Sequence, residues 1–145
     1  YYAGRNEVAD LDFERALCEH TGWNPLWARP YVVDADEALV RRIGGDDMVR
    51  GNTISAVGFY GPQGRYVRLA LANPDLNSRI EDFEYKGRRV TNYEMESAPL
   101  AGMGRLMGHS CMTVCSIIAN RFNTEANPNY KQGVRDLIAT VLERI

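Results

Sequence analysis

The stretch that most constrains this chain runs from Val90 to Arg121, VTNYEMESAPLAGMGRLMGHSCMTVCSIIANR, and its pattern predicts a strand, a helix and a second strand. Arg88 to Tyr93 is a short β-prone run. Ser97 opens a helical segment in which Ala98, Ala101, Met103, Leu106 and Met107 recur at near-helical spacing, and Gly108 is a natural C-terminal stop. Cys111 to Ile118 follows as an apolar run without a charge, the pattern of a strand buried on both faces as in a parallel sheet. Asn120 and Arg121 then lie at the end of that second strand. Open α/β sheets bind ligands beyond the carboxyl ends of their strands, so both polar clusters, NYEMES and NR, fall on the rim where a pocket belongs.

Two carboxylates sit where the first strand stops. Glu94 and Glu96 are two positions apart, and in an extended strand such residues face the same way. A carboxylate accepts hydrogen bonds at both oxygens, which suits it to a vicinal diol such as that of a sugar ring. The other reading makes both acids helix N-terminal charges favoured by the macrodipole, and spacing alone tilts toward it.

The other segments supply the expected frame. Asp10 or Asp12 can cap a helix running to about His20, with Phe13 and Leu17 on one face, and Thr21-Gly22 ends it. Trp23 to Tyr31 reads as a loop, and Asp36 to Ile43 as a short helix stopped by Gly44-Gly45. Thr53 to Phe59 reads as a buried strand leading directly into the GPQGR loop, so Phe59, Gln63 and Arg65 also lie just past a strand's carboxyl end. Tyr66 to Leu71 fits a strand or an extended connection. Leu76, Ile80 and Phe83 give one apolar face to a helix that starts at Pro74-Asp75 and ends at Lys86-Gly87. Phe122 to Tyr130 is a polar loop. From Lys131 to Ile145, Val134, Leu137, Ile138, Val141, Leu142 and Ile145 form an apolar stripe expected to pack on the sheet.

Composition narrows the functional classes. The 145 residues suffice for one domain and its core, and 45% hydrophobic with 25% charged residues is ordinary globular usage. A net charge of −2 gives no reason to invoke nucleic acid or an anionic membrane. No apolar run reaches the length of a membrane span, and no signal peptide is visible. Three cysteines without framework spacing suggest reduced thiols and a cytoplasmic location. Cys111 and Cys115 read as core rather than as metal ligands, and no metal-ligand cluster stands out. GMGRLMG lies inside the helical segment, which argues against a phosphate loop, and His20 and His109 read as structural or exposed.

NYEMESAPL, followed by a helix, Gly108, a hydrophobic strand and IIANR, resembles the second half of the uridine phosphorylases in the nucleoside phosphorylase superfamily. Phe59-Tyr60-Gly61-Pro62-Gln63-Gly64-Arg65-Tyr66 is similar to that family's pyrimidine-reading loop, in the expected order and at a compatible separation. The likeness is good from Thr53 onward and loose before it. It implies an α/β fold of three layers, a central mixed sheet flanked by helices, of which residues 1–145 are the C-terminal part of a single domain. The chain begins YYAGRNEVADLDFERAL, and the expectation is that the phosphate-binding front half is not present in it.

The resemblance also implies roles. Phe59 lies against the base, the Gln63 carboxamide meets the uracil N–H and one carbonyl, and Arg65 donates to the other carbonyl, reinforced by Arg121. Tyr93 and Met95 line the floor below the sugar, Glu96 takes the 2′- and 3′-hydroxyls with Glu94 as a weaker ribose contact, and Ile118 with Ala119 walls the base. Arg65 and Glu96 are the catalytic candidates. The implied reaction is phosphorolysis of uridine to uracil and ribose 1-phosphate, with inorganic phosphate as co-substrate, no other cofactor and no metal. Implied partners are the missing front half and further copies, as a dimer or a hexamer of dimers. Purine phosphorylases and nucleosidases of the superfamily place an Asp where this chain has Ile118-Ala119-Asn120, which favours a pyrimidine. A truncated, non-catalytic nucleoside-binding homologue is the alternative from another class.

Overall fold

In the computed structural model, residues 4–120 and 125–145 are described. The order of elements is α1 (Arg5–Val8), α2 (Leu11–Thr21), α3 (Glu37–Ile43), β1 (Asn52–Ser55), α4 (Leu76–Glu81), β2 (Glu84–Tyr85), β3 (Arg88–Glu94), α5 (Ser97–Leu106), β4 (Ala119–Asn120), β5 (Glu125–Ala126) and α6 (Tyr130–Arg144), with a 3-10 turn at Gly61–Gln63. Local chemistry sets most of these boundaries. Asp10 caps α2 by accepting from the Phe13 amide, and Asp36 caps α3 by accepting from Leu39. Gly22, in the left-handed region, closes α2.

The α/β architecture is built on a mixed sheet of order β1-β3-β2. β3 runs parallel to β1 and antiparallel to β2. Parallel strands need a crossover between them, and here it carries the 3-10 turn, α4 and β2. α5 packs against β1, and α4 packs against both β3 and α2. Phe13 and Leu17 of α2 form the core with Phe83, and the Phe13 ring meets Phe83 and Tyr85 edge-on at 5.3 and 5.4 Å.

A charge anchors that core to the N-terminal turn. Glu14 is fully buried; its carboxylate accepts two bonds from Arg5, at 2.9 and 2.8 Å, and one from the Val32 amide at 3.1 Å. Arg29 lies 3.7 Å from it. One acid thereby ties α1 and the segment following Trp23 to α2.

Several segments depart from expectation. The strand expected over Thr53 to Phe59 ends at Ser55, because its partner β3 ends at Glu94; Ala56 is still buried, but Val57 is 90% exposed. Cys111 to Ile118 forms no strand. Its first carbonyl accepts from the Asp36 amide at the start of α3, and pairing begins only at Ala119, in the small ladder of β4 with β5. Tyr66 to Leu71 is irregular and mostly exposed. Helix α4 ends at Glu81, and Lys86-Gly87 instead turns the β2–β3 hairpin. Both residues have positive φ (51° and 73°), as a two-residue turn matching strand twist requires. On α6 the stripe forms but does not pack on the sheet, since Ile138, Leu142 and Ile145 stay exposed. Polar bonds hold this helix: Arg144 grips Asp47 at 3.0 and 2.9 Å and the Ile43 carbonyl at 2.9 Å, while Arg42 donates to the Arg144 carbonyl. Among the described residues no helix is long and apolar enough to cross a membrane.

Glu14→Ala strips the acceptor from Arg5 and from the Val32 amide. The expected loss is about 3 kcal/mol of unfolding free energy, the lower end for a broken buried ion pair, because Arg5 keeps some access to water. Urea denaturation of the wild type and the variant reads it.

Candidate functional site

The parallel register fixes the site. Ser55 pairs with Glu94, so the last residues of β1 and β3 lie side by side and the segments that follow emerge at the same edge of the sheet. After β1 the Ala56 amide still donates to the Glu94 carbonyl at 2.8 Å, and the chain then turns into the Phe59–Arg65 loop. After β3 comes Met95-Glu96 and helix α5.

The loop folds on itself. Amides of Gln63 and Arg65 both donate to the Tyr60 carbonyl at 3.0 Å. Gln63 is buried, and its Oε1 accepts from Arg65 Nη1 at 2.6 Å. The same guanidinium donates to the Phe59 carbonyl and stacks over the Phe59 ring, 3.6 Å from its centroid. Phe59, Gln63 and Arg65, separated in sequence, therefore form one cluster, with half of the Phe59 surface exposed.

The acidic strand end is divided by function. Glu94 Oε1 accepts from the Ser55 and Ser97 hydroxyls, and Oε2 accepts from the amides of Glu96 and Ser97, each at 2.7 Å. Ser55 Oγ in turn accepts from the Ala98 amide. Four donors at the mouth of α5 make Glu94 the anchor of that helix, which is the macrodipole reading of this acid. Together they engage both carboxylate oxygens twice. Glu96 does not share Glu94's setting, because the strand ends between them. It occupies the N-cap position of α5 without bonding the helix through its side chain, and its exposed carboxylate has no partner among the described residues. Burial pushes the Glu94 pKa up, but the bonds from Ser55, Ser97 and the two amides outweigh it and leave the group below its usual 4.5.

One residue that the sequence did not single out links the two segments. Tyr93 Oη donates to Asn77 Oδ1 at 2.9 Å, and Asn77 Nδ2 donates to the Gln63 carbonyl at 3.2 Å. Ser55 and Ser97 also belong to this hydrogen-bonded group. Ser97 lies inside NYEMES, but Ser55 and Asn77 carry no local signal. Met95 is exposed beside the strand end. Ile118 lies outside this hydrogen-bonded group, and its carbonyl accepts from the Asn127 amide at 2.7 Å. Arg121 lies outside the described residues.

A cavity of about 1030 Å³ opens along β1. Ser55, Ala56, Tyr60, Arg65, Tyr93 and Ala98 belong to its lining, which extends to Trp23 and Trp27. Of the expected contact residues only Arg65 and Tyr93 line it; Phe59, Gln63, Glu94, Met95, Glu96 and Ile118 do not. Among the described residues no group of three His, Cys, Asp or Glu side chains could hold a metal ion.

The Phosphorylase superfamily profile matches residues 5–145. The chain is similar to the uridine phosphorylase of Thermococcus kodakarensis, with 30% identity over 82% of this chain and 45% of that protein. It thus spans less than half the length of this curated relative. No solved structure matches.

Because the folded-state pKa of Glu94 is depressed, its stabilisation is complete above about pH 4.5 and is lost as the pH falls through the lowered value. Glu94→Gln removes that titration. The stability gap between wild type and variant should narrow below pH 4.5 when denaturation is followed from pH 7 to pH 3; a gap that stays constant contradicts the assignment.

Proposed function

The chain belongs to the Phosphorylase superfamily, and from that premise we propose that it supplies the base and ribose contacts of a uridine phosphorylase, a pentosyltransferase that cleaves uridine with phosphate to uracil and ribose 1-phosphate. The observation that supports the reading is that the segments carrying the Phe59–Gln63–Arg65 cluster and the Glu94–Ser97 turn leave the same end of the parallel pair β1–β3, with Asn77 bonded to both Gln63 and Tyr93.

Uracil offers an N–H between two carbonyls. In this reading the Gln63 carboxamide meets the N–H and one carbonyl, Arg65 donates to the other, and Phe59 lies against the ring. Glu96 takes the ribose hydroxyls, with Tyr93 and Met95 below the sugar. Glu94 acts indirectly, by holding the start of α5. As the bond from C1′ to the base nitrogen breaks, the sugar becomes oxocarbenium-like and negative charge spreads onto the uracil carbonyls. Donors aimed at that charge bind the transition state more tightly than the ground state. Arg65 supplies the first such donor, and Arg121 reinforces it. Phosphate is the nucleophile, and its contacts are assigned to no residue of this chain. They fall to the part of the family domain that lies beyond the matched 45% of the relative.

That remaining part is also the partner proposed for the apolar trough along β1, which it would cover. The exposed side of the α6 stripe is consistent with assembly into dimers, or into a hexamer of dimers. The free thiols at Cys18, Cys111 and Cys115 fit a cytoplasmic location.

Purified protein incubated with uridine should release uracil only when phosphate is present. Saturable uridine binding without release instead supports a non-catalytic nucleoside-binding homologue, and release from inosine in preference to uridine supports the purine branch. Gln63→Ala should raise KM for uridine, and unchanged kinetics would remove Gln63 from the site. Arg65→Ala should lower kcat about 100- to 1000-fold, the cost of one lost transition-state donor, as read from initial rates at saturating uridine.

A further inference from the structure

The two halves of the proposed nucleoside contact come from different loops, and something must set the distance between them. The base-reading loop follows β1 and the sugar-side residues end β3, with no covalent link shorter than the crossover. Backbone pairing stops at Ser55–Glu94 and the single bond from Ala56, so the sheet itself does not reach Gln63.

Asn77 spans that gap. It sits on α4, which is anchored by the buried neighbours Leu76 and Ile80 on either side of it in the helix. Its carboxamide is used at both ends: Oδ1 accepts from Tyr93 Oη at 2.9 Å and Nδ2 donates to the Gln63 carbonyl at 3.2 Å. The fit leaves no room for a side chain on the next residue. Gly64 has a φ of +72°, and a Cβ built there would collide with the Asn77 amide. A glycine is thus required twice over, by its backbone conformation and by the closeness of Asn77. Fixing the Gln63 carbonyl fixes the turn that carries the Gln63 and Arg65 side chains, while the bond to Tyr93 references that turn to the residue directly before Glu94.

We propose that Asn77 is a positioning residue that sets the base-reading loop relative to the sugar-side strand end, so that one nucleoside satisfies both. This rests on the functional reading above. Asn77 touches neither base nor sugar in this account; it acts through the turn that carries Gln63 and Arg65. Correct placement of reacting groups is steep in distance, and a shift of about 1 Å can cost about a hundredfold in rate.

The test is a double-mutant cycle between Asn77→Ala and Gln63→Ala, read as kcat/KM for phosphate-dependent uracil release, or as Kd for uridine if the protein binds without cleaving. Asn77→Ala alone should lower kcat/KM about ten- to a hundredfold. On the Gln63→Ala background the same change should cost at least about threefold less, because the part of its effect that runs through the Gln63 side chain is already lost while the part that runs through Arg65 remains. A purely structural role for Asn77 would cost the same factor on both backgrounds, and that result overturns the proposal. An effect of Asn77→Ala alone of less than about twofold does so as well. If Asn77→Ala does not fold, Asn77→Asp replaces it. That variant keeps an acceptor for Tyr93, loses the donor to the Gln63 carbonyl, and should follow the same pattern in the cycle. Wild-type protein that neither cleaves nor binds uridine overturns the functional reading and this proposal together, whereas wild-type activity with additive variants overturns this proposal alone.

Discussion

Parallel pairing of β1 with β3 is the constraint on which the rest of this molecule depends. An antiparallel pair would send the two following segments to opposite edges of the sheet, and the glutamine loop and the acidic strand end would be separated by the length of a strand. In parallel register Ser55 stands beside Glu94 and both segments leave together. The pairing survives although β1 has only four residues, because side chains reinforce its last rung. Ser55 binds Glu94, Glu94 binds the start of α5, and the Ala98 amide returns to Ser55. Strand pairing and the docking of α5 on β1 are therefore one cooperative unit.

That unit also explains why two glutamates two residues apart differ so much. Glu94 ends a strand within reach of a neighbouring strand's hydroxyl and of a helix's first amides, and four donors satisfy it. Glu96 has already turned the corner into α5, and its carboxylate faces solvent. A carboxylate with its lone pairs engaged cannot also take a diol without breaking bonds of the charge-assisted kind, worth roughly 1.5–3 kcal/mol each. The ribose contact proposed above is given to Glu96 because of that difference.

Exposed apolar surface is distributed unevenly. The outward side of α6 and the trough beside β1, with Val57, Val67 and Leu69 at 64% exposure or more, contrast with the small closed core of Phe13, Leu17 and Phe83. Patches of this kind mark surfaces that bind something, and α6, with Val134, Leu137 and Val141 half-buried, is also tied down by Arg144 and Arg42.

Much of the secondary structure was readable from local chemistry, since caps and helical periodicity act within a few residues. Asp10, Asp36, Gly22 and Gly108 mark helix ends, and the helices over Leu11–Thr21, Glu37–Ile43, Ser97–Leu106 and Tyr130–Arg144 follow from them and from apolar spacing. The order of the two motifs, and hence the family, was also present in the residues alone. Strand extent was not. The apolar content of Thr53 to Phe59 and of Cys111 to Ile118 announces burial, but a strand exists only where a partner offers its backbone, and such partners are distant in sequence. The same holds within the site. Composition made Glu94 and Glu96 look alike, and nothing near Asn77 marks it. Only the tertiary arrangement decided which acid is saturated and which amide bridges the loop to the strand, because a hydrogen bond is set by distances between residues that the chain brings together only when it is folded.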